Sequence, residues 1–254
     1  DYVCTKKFPL EFFWEIRAEY PFWRIIEWVN KYPKSLIILN QKTGLEWKGY
    51  LEHEAWLNSE NPNLYVLNKS MISEPNTEYN YNTGATHLLS VILQKVSQKS
   101  TLEYANEKLF RKLGIEKVNW QKRKDGNYDG GGLGLEMLPS DLLKIGNLML
   151  NQGQYNGEKI VSIEWIEKLY NPNLKAKTNW GIRNSKHGYC WYSADFKNTN
   201  ITYSMGYGGQ FVLLFPDKNM IIVTTFNHDT PTGIDQQIEF LNRNLIEILE
   251  KTSN

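Results

Sequence analysis

The sequence predicts an α+β fold in which an antiparallel sheet is flanked by helices. Two observations carry that prediction. Apolar residues recur at helical spacing through the middle of the chain, and the last third holds two strongly apolar, strand-sized runs ahead of a closing helix. That order lacks the strand-helix alternation of a doubly wound parallel sheet. With 254 residues and 41% hydrophobic content, the chain can bury a substantial core and reads as a single domain spanning 1–254. Within it a helical lobe is expected over about 35–170 and a sheet lobe over about 180–250.

Residues 9–34 are crowded with aromatic side chains. Phe22, Ile25, Ile26 and Val29 fall three or four apart between Pro21 and Pro33, which predicts helix in part. SLIIL at 35–39 is β-prone, and the Asn-rich stretch up to about residue 80 reads as turns around NSENPN and SEPNTEYN. Ala85, Leu88, Leu89, Ile92, Leu93 and Val96 then repeat at helical spacing and predict a helix over 84–97 with one buried face. Ser100 and Glu103 form a capping-box pattern that opens a second helix, stopped by Gly114. A third helix is expected from Pro139 to about Leu150, then the turn NQGQYNG and a short helix around SIEWIEKLY. HGYCWYSAD reads as a strand, and GGQFVLLFP and MIIVTTFN as a hairpin turning at DKN. Ile234, Ile238, Leu241, Leu245 and Ile248 share one face of the closing helix.

Charge and motif content exclude several functions. Lys plus Arg number 29 against 28 Asp plus Glu, so no net field favours nucleic acid or an anionic membrane. The longest apolar runs are strand-sized, well short of a membrane span. Cys4 and Cys190 offer at most one pairing and no thiolate metal site; they read as two thiols. His53, His87, His187 and His228 are scattered without metal-ligand spacing, so no metal is expected. Four glycines crowd residues 130–134, yet no GK[ST] follows them, and the loop reads as close backbone packing beside a cleft rather than a phosphate cradle. No cofactor is expected.

The remaining chemistry involves lysine, tyrosine and backbone donors. Tyr81 stands just ahead of the helix over 84–97, where a phenol projects with little freedom. At neutral pH a phenol accepts a proton only beside a cation such as a lysine ammonium. The opening residues DYVCTKKF supply Lys6 and Lys7, with Cys4 as the one thiol and no serine.

Three blocks, at 79–115, 130–166 and 203–227, together resemble the serine beta-lactamase-related family, which includes class C beta-lactamases, D-alanyl-D-alanine peptidases, family VIII-type esterases and 6-aminohexanoate-dimer hydrolases. The resemblance covers most of 35–250 and implies a beta-lactamase/transpeptidase-like fold. It implies an acyl hydrolase acting on a small ester, amide or peptide-like ligand through an acyl intermediate, or a non-catalytic relative that keeps the cleft for a ligand or partner. The family's Y-[SA]-N motif falls on Tyr81, Asn82 and Thr83. Tyr81 resembles the residue that shuttles a proton to the leaving group, and Thr83 stands where an asparagine commonly contacts substrate. The K-T-G-like strand element falls on Gly206, Tyr207 and Gly208, and the backbone N–H of Gly209 resembles an oxyanion donor. The literal KTG at 42–44 precedes the tyrosine and resembles a different family loop.

Against the family's S-x-x-K motif, YVCTKK has three readings. One puts Val3 at the nucleophile position and Lys6 at the base, leaving no hydroxyl to acylate. A one-residue shift gives Cys4 and Lys7. In the third, with Pro9 close behind, neither register applies. Family members usually carry sheet strands ahead of this motif. The resemblance therefore implies missing amino-terminal strands, or a sheet edge covered by residues 9–32, by a partner or by oligomerisation. The opening residues show no leader pattern, but a chain opening in DYVC is also what a trimmed product would show. The sequence therefore leaves localisation open, with a bacterial periplasmic or extracellular setting as one option.

Overall fold

The computed structural model describes residues 37–131, 134–176, 182, 184–206, 208–226 and 233–251. Val3, Cys4, Lys6, Lys7, Tyr207 and the aromatic stretch 9–34 lie outside the described residues. Packing divides the chain after Glu136 into two units.

The first unit is built from α1 (Tyr50–Asn58), α2 (Pro62–Leu67), α3 (Thr83–Ser97) and α4 (Thr101–Ala105), with a small ladder of β1 (Asn119–Trp120) and β2 (Leu135–Glu136). Helix α3 starts where expected because the Asn82 side chain accepts from the backbone N–H of Ala85 at 2.8 Å, and it ends at Gln98 in the left-handed region. Ala85, Leu88 and Ile92 form its buried apolar stripe. With Leu45, Trp47 and Val66, Ala85 and Leu88 enclose Trp56, which is 0% exposed. The Ser100–Glu103 capping box is present, and Gly114 stops the segment at φ 63°. Between them the winding loosens into a π segment, Asn106–Phe110, then tightens through Arg111–Leu113. One expectation fails here. Residues 37–39 of the β-prone SLIIL form a turn of helix, and the backbone N–H groups of Gln41 and Lys42 close it onto Ile38 and Ile37.

The second unit holds a small hairpin, β3 (Gln154–Tyr155) with β4 (Glu158–Lys159), and a six-stranded antiparallel sheet in the order β10-β9-β8-β7-β6-β5: β5 (Leu174–Lys175), β6 (Lys186–Gly188), β7 (Trp191–Phe196), β8 (Thr199–Gly206), β9 (Gln210–Phe215) and β10 (Met220–Thr224). Strand β9 is buried on both faces, which explains its unbroken apolar run. The closing helical stretch runs through α7 (Gly233–Glu239), a π segment (Phe240–Asn244) and α8 (Leu245–Lys251), and Phe211, Leu213 and Phe215 share a core with Leu241 of the π segment and Leu245 and Leu249 of α8. Val212 and Leu214 meet α5 (Pro139–Leu150) and α6 (Ile163–Tyr170) through Met149, Ile166 and Leu169. Gly146 brings α5 onto the sheet, because a Cβ there would lie 2.9 Å from Ile221. The fold is thus the expected antiparallel sheet flanked by helices.

Two details of this unit depart from expectation. HGYCWYSAD is not one strand. Tyr189 and Cys190 have φ 55° and 64°, so β6 and β7 form a hairpin with a primed two-residue turn. The closing helix contains a π segment, Phe240–Asn244, which puts Gln237, Leu241, Leu245 and Leu249 on the buried side at four-residue spacing and leaves Ile238 exposed.

A ladder of rings crosses the sheet. His187 meets Tyr192 with centroids 4.8 Å apart, and Tyr192 stacks on Tyr203 at 5.3 Å. Burial pushes the His187 imidazole down to about 4. Above roughly pH 6.5 both folded and unfolded chains hold it neutral; as pH falls below that, the unfolded chain takes up a proton that the folded one refuses until about 4. Stability should therefore drop by about 3 kcal/mol across this window. Urea midpoints at pH 7 and 4.5 should diverge in the wild type and diverge much less in His187→Phe. An equal divergence in both would refute it.

Candidate active site

Tyr81 is the last residue before the cap of α3 and is 48% exposed. The turn that carries it is held from one side by Gln41. The Gln41 Oε1 atom accepts from the Asn82 backbone N–H at 2.7 Å, while Gln41 Nε2 donates to Thr86 Oγ1 at 2.8 Å. Thr86 Oγ1 in turn donates to the Asn82 carbonyl at 3.0 Å. Gln41 and Asn82 are buried, so each of these bonds is shielded from competing water.

The loop leading to the glycine-rich stretch holds the same turn from another side. Gly131 has no room for a side chain: a Cβ would lie 2.7 Å from both Cγ2 and the carbonyl oxygen of Thr83. Thr83 itself is buried against this backbone. Gly130 packs on Thr86, His87 and Ser90. The Asp129 carboxylate accepts from the Gly131 N–H at 2.6 Å and pairs with Arg123 Nε at 2.9 Å, both buried or nearly so. Close backbone packing is thus what the described glycines here provide. Gly131→Ala is expected to cost about 1–3 kcal/mol in a urea melt, because backbone rather than a flexible tip must yield. A loss below about 0.5 kcal/mol would mean that the loop lifts freely off α3.

Residues 125–136 also spell D-x-N-x-D-G-x5-E, the ligand pattern of a calcium loop. The fold spends these groups otherwise. Asp125 Oδ2 accepts from His87 Nε2 at 3.1 Å, Asn63 Nδ2 at 2.8 Å and Asn127 Nδ2 at 2.8 Å. Burial works against the Asp125 charge, and the bonds from His87 and Asn127 outweigh it, holding the carboxyl down at about 2. Asp129 is committed to Arg123, and Glu136 accepts from Asn119 across β1 and β2. Among the described residues no group of three or more His, Cys, Asp or Glu is gathered to hold a metal.

In the second unit, Gly206 ends β8 paired with Gln210, the first residue of β9, and the described residues Gly208 and Gly209 lie between the two strands. Gly206 is exposed, whereas Gly208 and Gly209 are buried with φ 75° and 85°. A Cβ on Gly209 would meet the Phe226 ring at 2.6 Å and Gln237 at 3.2 Å, so only glycine fits. Thr224 Oγ1 donates to the Gly209 carbonyl at 2.7 Å, and Gln210 Nε2 donates to the Phe226 carbonyl at 2.7 Å. The loop is therefore fixed by side chains as well as by strand pairing.

Of the residues singled out from sequence, Tyr81 and Thr83 share one capped turn of the first unit, and Gly206, Gly208 and Gly209 share one hairpin of the second. Lys6, Cys4, Lys7 and Tyr207 lie outside the described residues. Sequence reasoning missed the polar layer beneath α3, namely Gln41, His87, Asp125 and Asp129. The spacing of Asp125, Asn127, Asp129 and Gly130 was the available signal. It also missed a lysine-tyrosine pair, Lys69 and Tyr65, both joined to Glu52. Burial lowers the Lys69 pKa, but the bonds to Glu52 and Tyr65 outweigh it and raise it, so this amine stays an ammonium and is no proton acceptor at neutral pH.

Residues 63–244 match the beta-lactamase family, and the chain belongs to it. A Bacillus anthracis protein described as a 6-aminohexanoate-dimer hydrolase has a similar structure, with a TM-score of 0.68 at 17% identity over 90% of this chain and 70% of that one. A beta-lactamase from Mycobacterium bovis gives 0.60 at 15% identity, over 84% and 73% of the two chains. The octameric penicillin-binding protein homologue from Pyrococcus abyssi gives 0.56 at 20% identity; the match covers 83% of this chain and 55% of that one. At these identities the likeness concerns the fold alone. No curated protein matches the chain. Among the described residues no helix is long and apolar enough to cross a membrane.

Proposed function

We propose that this chain binds a small ester, amide or peptide-like compound in the manner of the family's acyl hydrolases, and that acylation is weak or absent. Tyr81 would serve as proton shuttle, Lys6 as its cationic neighbour and the Gly209 N–H as oxyanion donor. The carrying observation is the first turn of α3. In the Tyr81, Asn82, Thr83 register, the middle residue Asn82 caps the helix and is itself held by Gln41, while Tyr81 just ahead of it stays half exposed. Val3 stands where S-x-x-K would place the hydroxyl, so the better register leaves nothing to form an acyl-enzyme.

Incubation with a fluorophosphonate and with a fluorescent penicillin, followed by intact mass, tests this reading. No adduct is expected at residue 3 or 4, while ampicillin should still bind reversibly and be weakened by Tyr81→Phe. Rapid acylation abolished by Cys4→Ala would replace the reading with a cysteine hydrolase working through Lys7. The Pyrococcus homologue is described as octameric, and we extend self-association to this chain; light scattering that returns only the monomer mass of 29.7 kDa would remove that part.

A further inference from the structure

His87 is 0% exposed in the middle of the first two turns of α3, where an apolar residue would satisfy the helical pattern. Its two ring nitrogens have different duties. Nδ1 accepts from the Gly130 backbone N–H at 3.2 Å, so the ring proton resides on Nε2, which donates to Asp125 Oδ2 at 3.1 Å. The ring face is fixed by Trp56, with centroids 5.5 Å apart and the planes 62° from parallel. One side chain thereby grips both ends of the loop from Asp125 to Gly130. The next residue, Gly131, lies in van der Waals contact with Thr83, two positions from Tyr81.

We infer that His87 is a positioning residue for the site: its Nδ1 atom holds the Gly130–Gly131 backbone against the first turn of α3 and so sets where the Tyr81 phenol stands. The inference rests on the proposed function only in taking Tyr81 as a ligand-facing group. Gln41 anchors the Asn82 peptide from one side, and the His87-held glycines close the other. Release of the second anchor frees the helix start to move toward the space that the glycines occupied, and Tyr81 moves with it.

The test incorporates 3-fluorotyrosine at position 81 of the full chain and reads its fluorine resonance at a temperature where circular dichroism shows each variant folded. His87→Asn keeps an acceptor oxygen near the Nδ1 position and loses the donor toward Asp125. His87→Gln carries an amide out toward the Nε2 position and loses the acceptor facing Gly130. Each leaves one buried partner unpaired, so a merely structural role predicts matching spectra for the two. The expected result is a wild-type resonance in His87→Asn and a shifted or split one in His87→Gln, with ampicillin affinity falling roughly tenfold in the latter. Ile92→Val, which trims the apolar face of the same helix, should leave the resonance in place. If His87→Gln does not fold, Gly131→Ala supplies the second readout: it pushes the same backbone from Thr83 with His87 intact and must shift or split the resonance. Matching spectra for the two His87 variants, or an unmoved resonance in Gly131→Ala, would overturn the inference. A resonance that moves in His87→Gln yet ignores saturating ampicillin supports the positioning and overturns the ligand-facing reading of Tyr81.

Discussion

Trp56→Ala is expected to cost about 3–5 kcal/mol, the range for emptying a fully buried aromatic site. The ring is 0% exposed and lies edge-on to Trp47, His53 and His87, with centroids 6.3, 5.7 and 5.5 Å away. Its Nε1 donates to the Pro62 carbonyl at 3.1 Å, tying α1 to the start of α2. Truncation therefore leaves a cavity, an unpaired carbonyl and a His87 ring without its face contact. Trp56→Phe refills most of the volume but not the hydrogen bond, so it should cost less, about 1–3 kcal/mol. Urea melts of both variants check the pair. A Trp56→Ala loss under about 1 kcal/mol would show that this core is not the anchor of the first unit.

The parts of this fold legible in the sequence are those set by neighbours in the chain. Helix α3 and the Ser100–Glu103 box could be read because apolar spacing and a cap are local signals, and the β9–β10 hairpin because both strands carry strong apolar runs around a short turn. The break at Tyr189 and Cys190 was not legible, since neither residue type announces positive φ as glycine or asparagine would. The π segment at Phe240–Asn244 escaped for a related reason. A 3.6-residue period puts Ile238 on the buried face, whereas packing against the sheet selects Gln237 and four-residue steps. The place of Tyr81 just ahead of a helix was legible too, from the apolar spacing that follows it. His87 was not. Its partner Asp125 is 38 residues away, and an isolated histidine inside an apolar pattern carries no sign of which nitrogen will accept and which will donate.

Val3→Ser is expected to convert the chain into one that acylates. The register that aligns YVCTKK with S-x-x-K puts the new hydroxyl three residues ahead of Lys6, the spacing at which the family's lysine takes the hydroxyl proton as the oxygen attacks a carbonyl or phosphonyl centre. With the fluorophosphonate, the oxygen would bond to phosphorus as the P–F bond breaks and fluoride leaves, and its proton would pass to the lysine; with an ester or amide, the proposed role of Tyr81 would be to pass a proton to the leaving oxygen or nitrogen. A positioned base of this kind contributes about 10²–10⁴-fold, so the fluorophosphonate adduct should form at least about 100-fold faster than in the wild type and map to residue 3. Val3→Ser combined with Lys6→Met should lose that gain, because the hydroxyl alone is a weak nucleophile at neutral pH. Pro9 follows two positions beyond Lys7 in the sequence, a residue unfavourable inside a helix, so the gain depends on residues 3 and 6 sharing a helical turn ahead of it. If Val3→Ser forms no adduct while ampicillin still binds, the Val3 and Lys6 register is wrong and the site works as a binding cleft without a lysine-activated nucleophile. Labelling at Cys4 in both wild type and Val3→Ser would instead move the chemistry one residue along, to the thiol and Lys7.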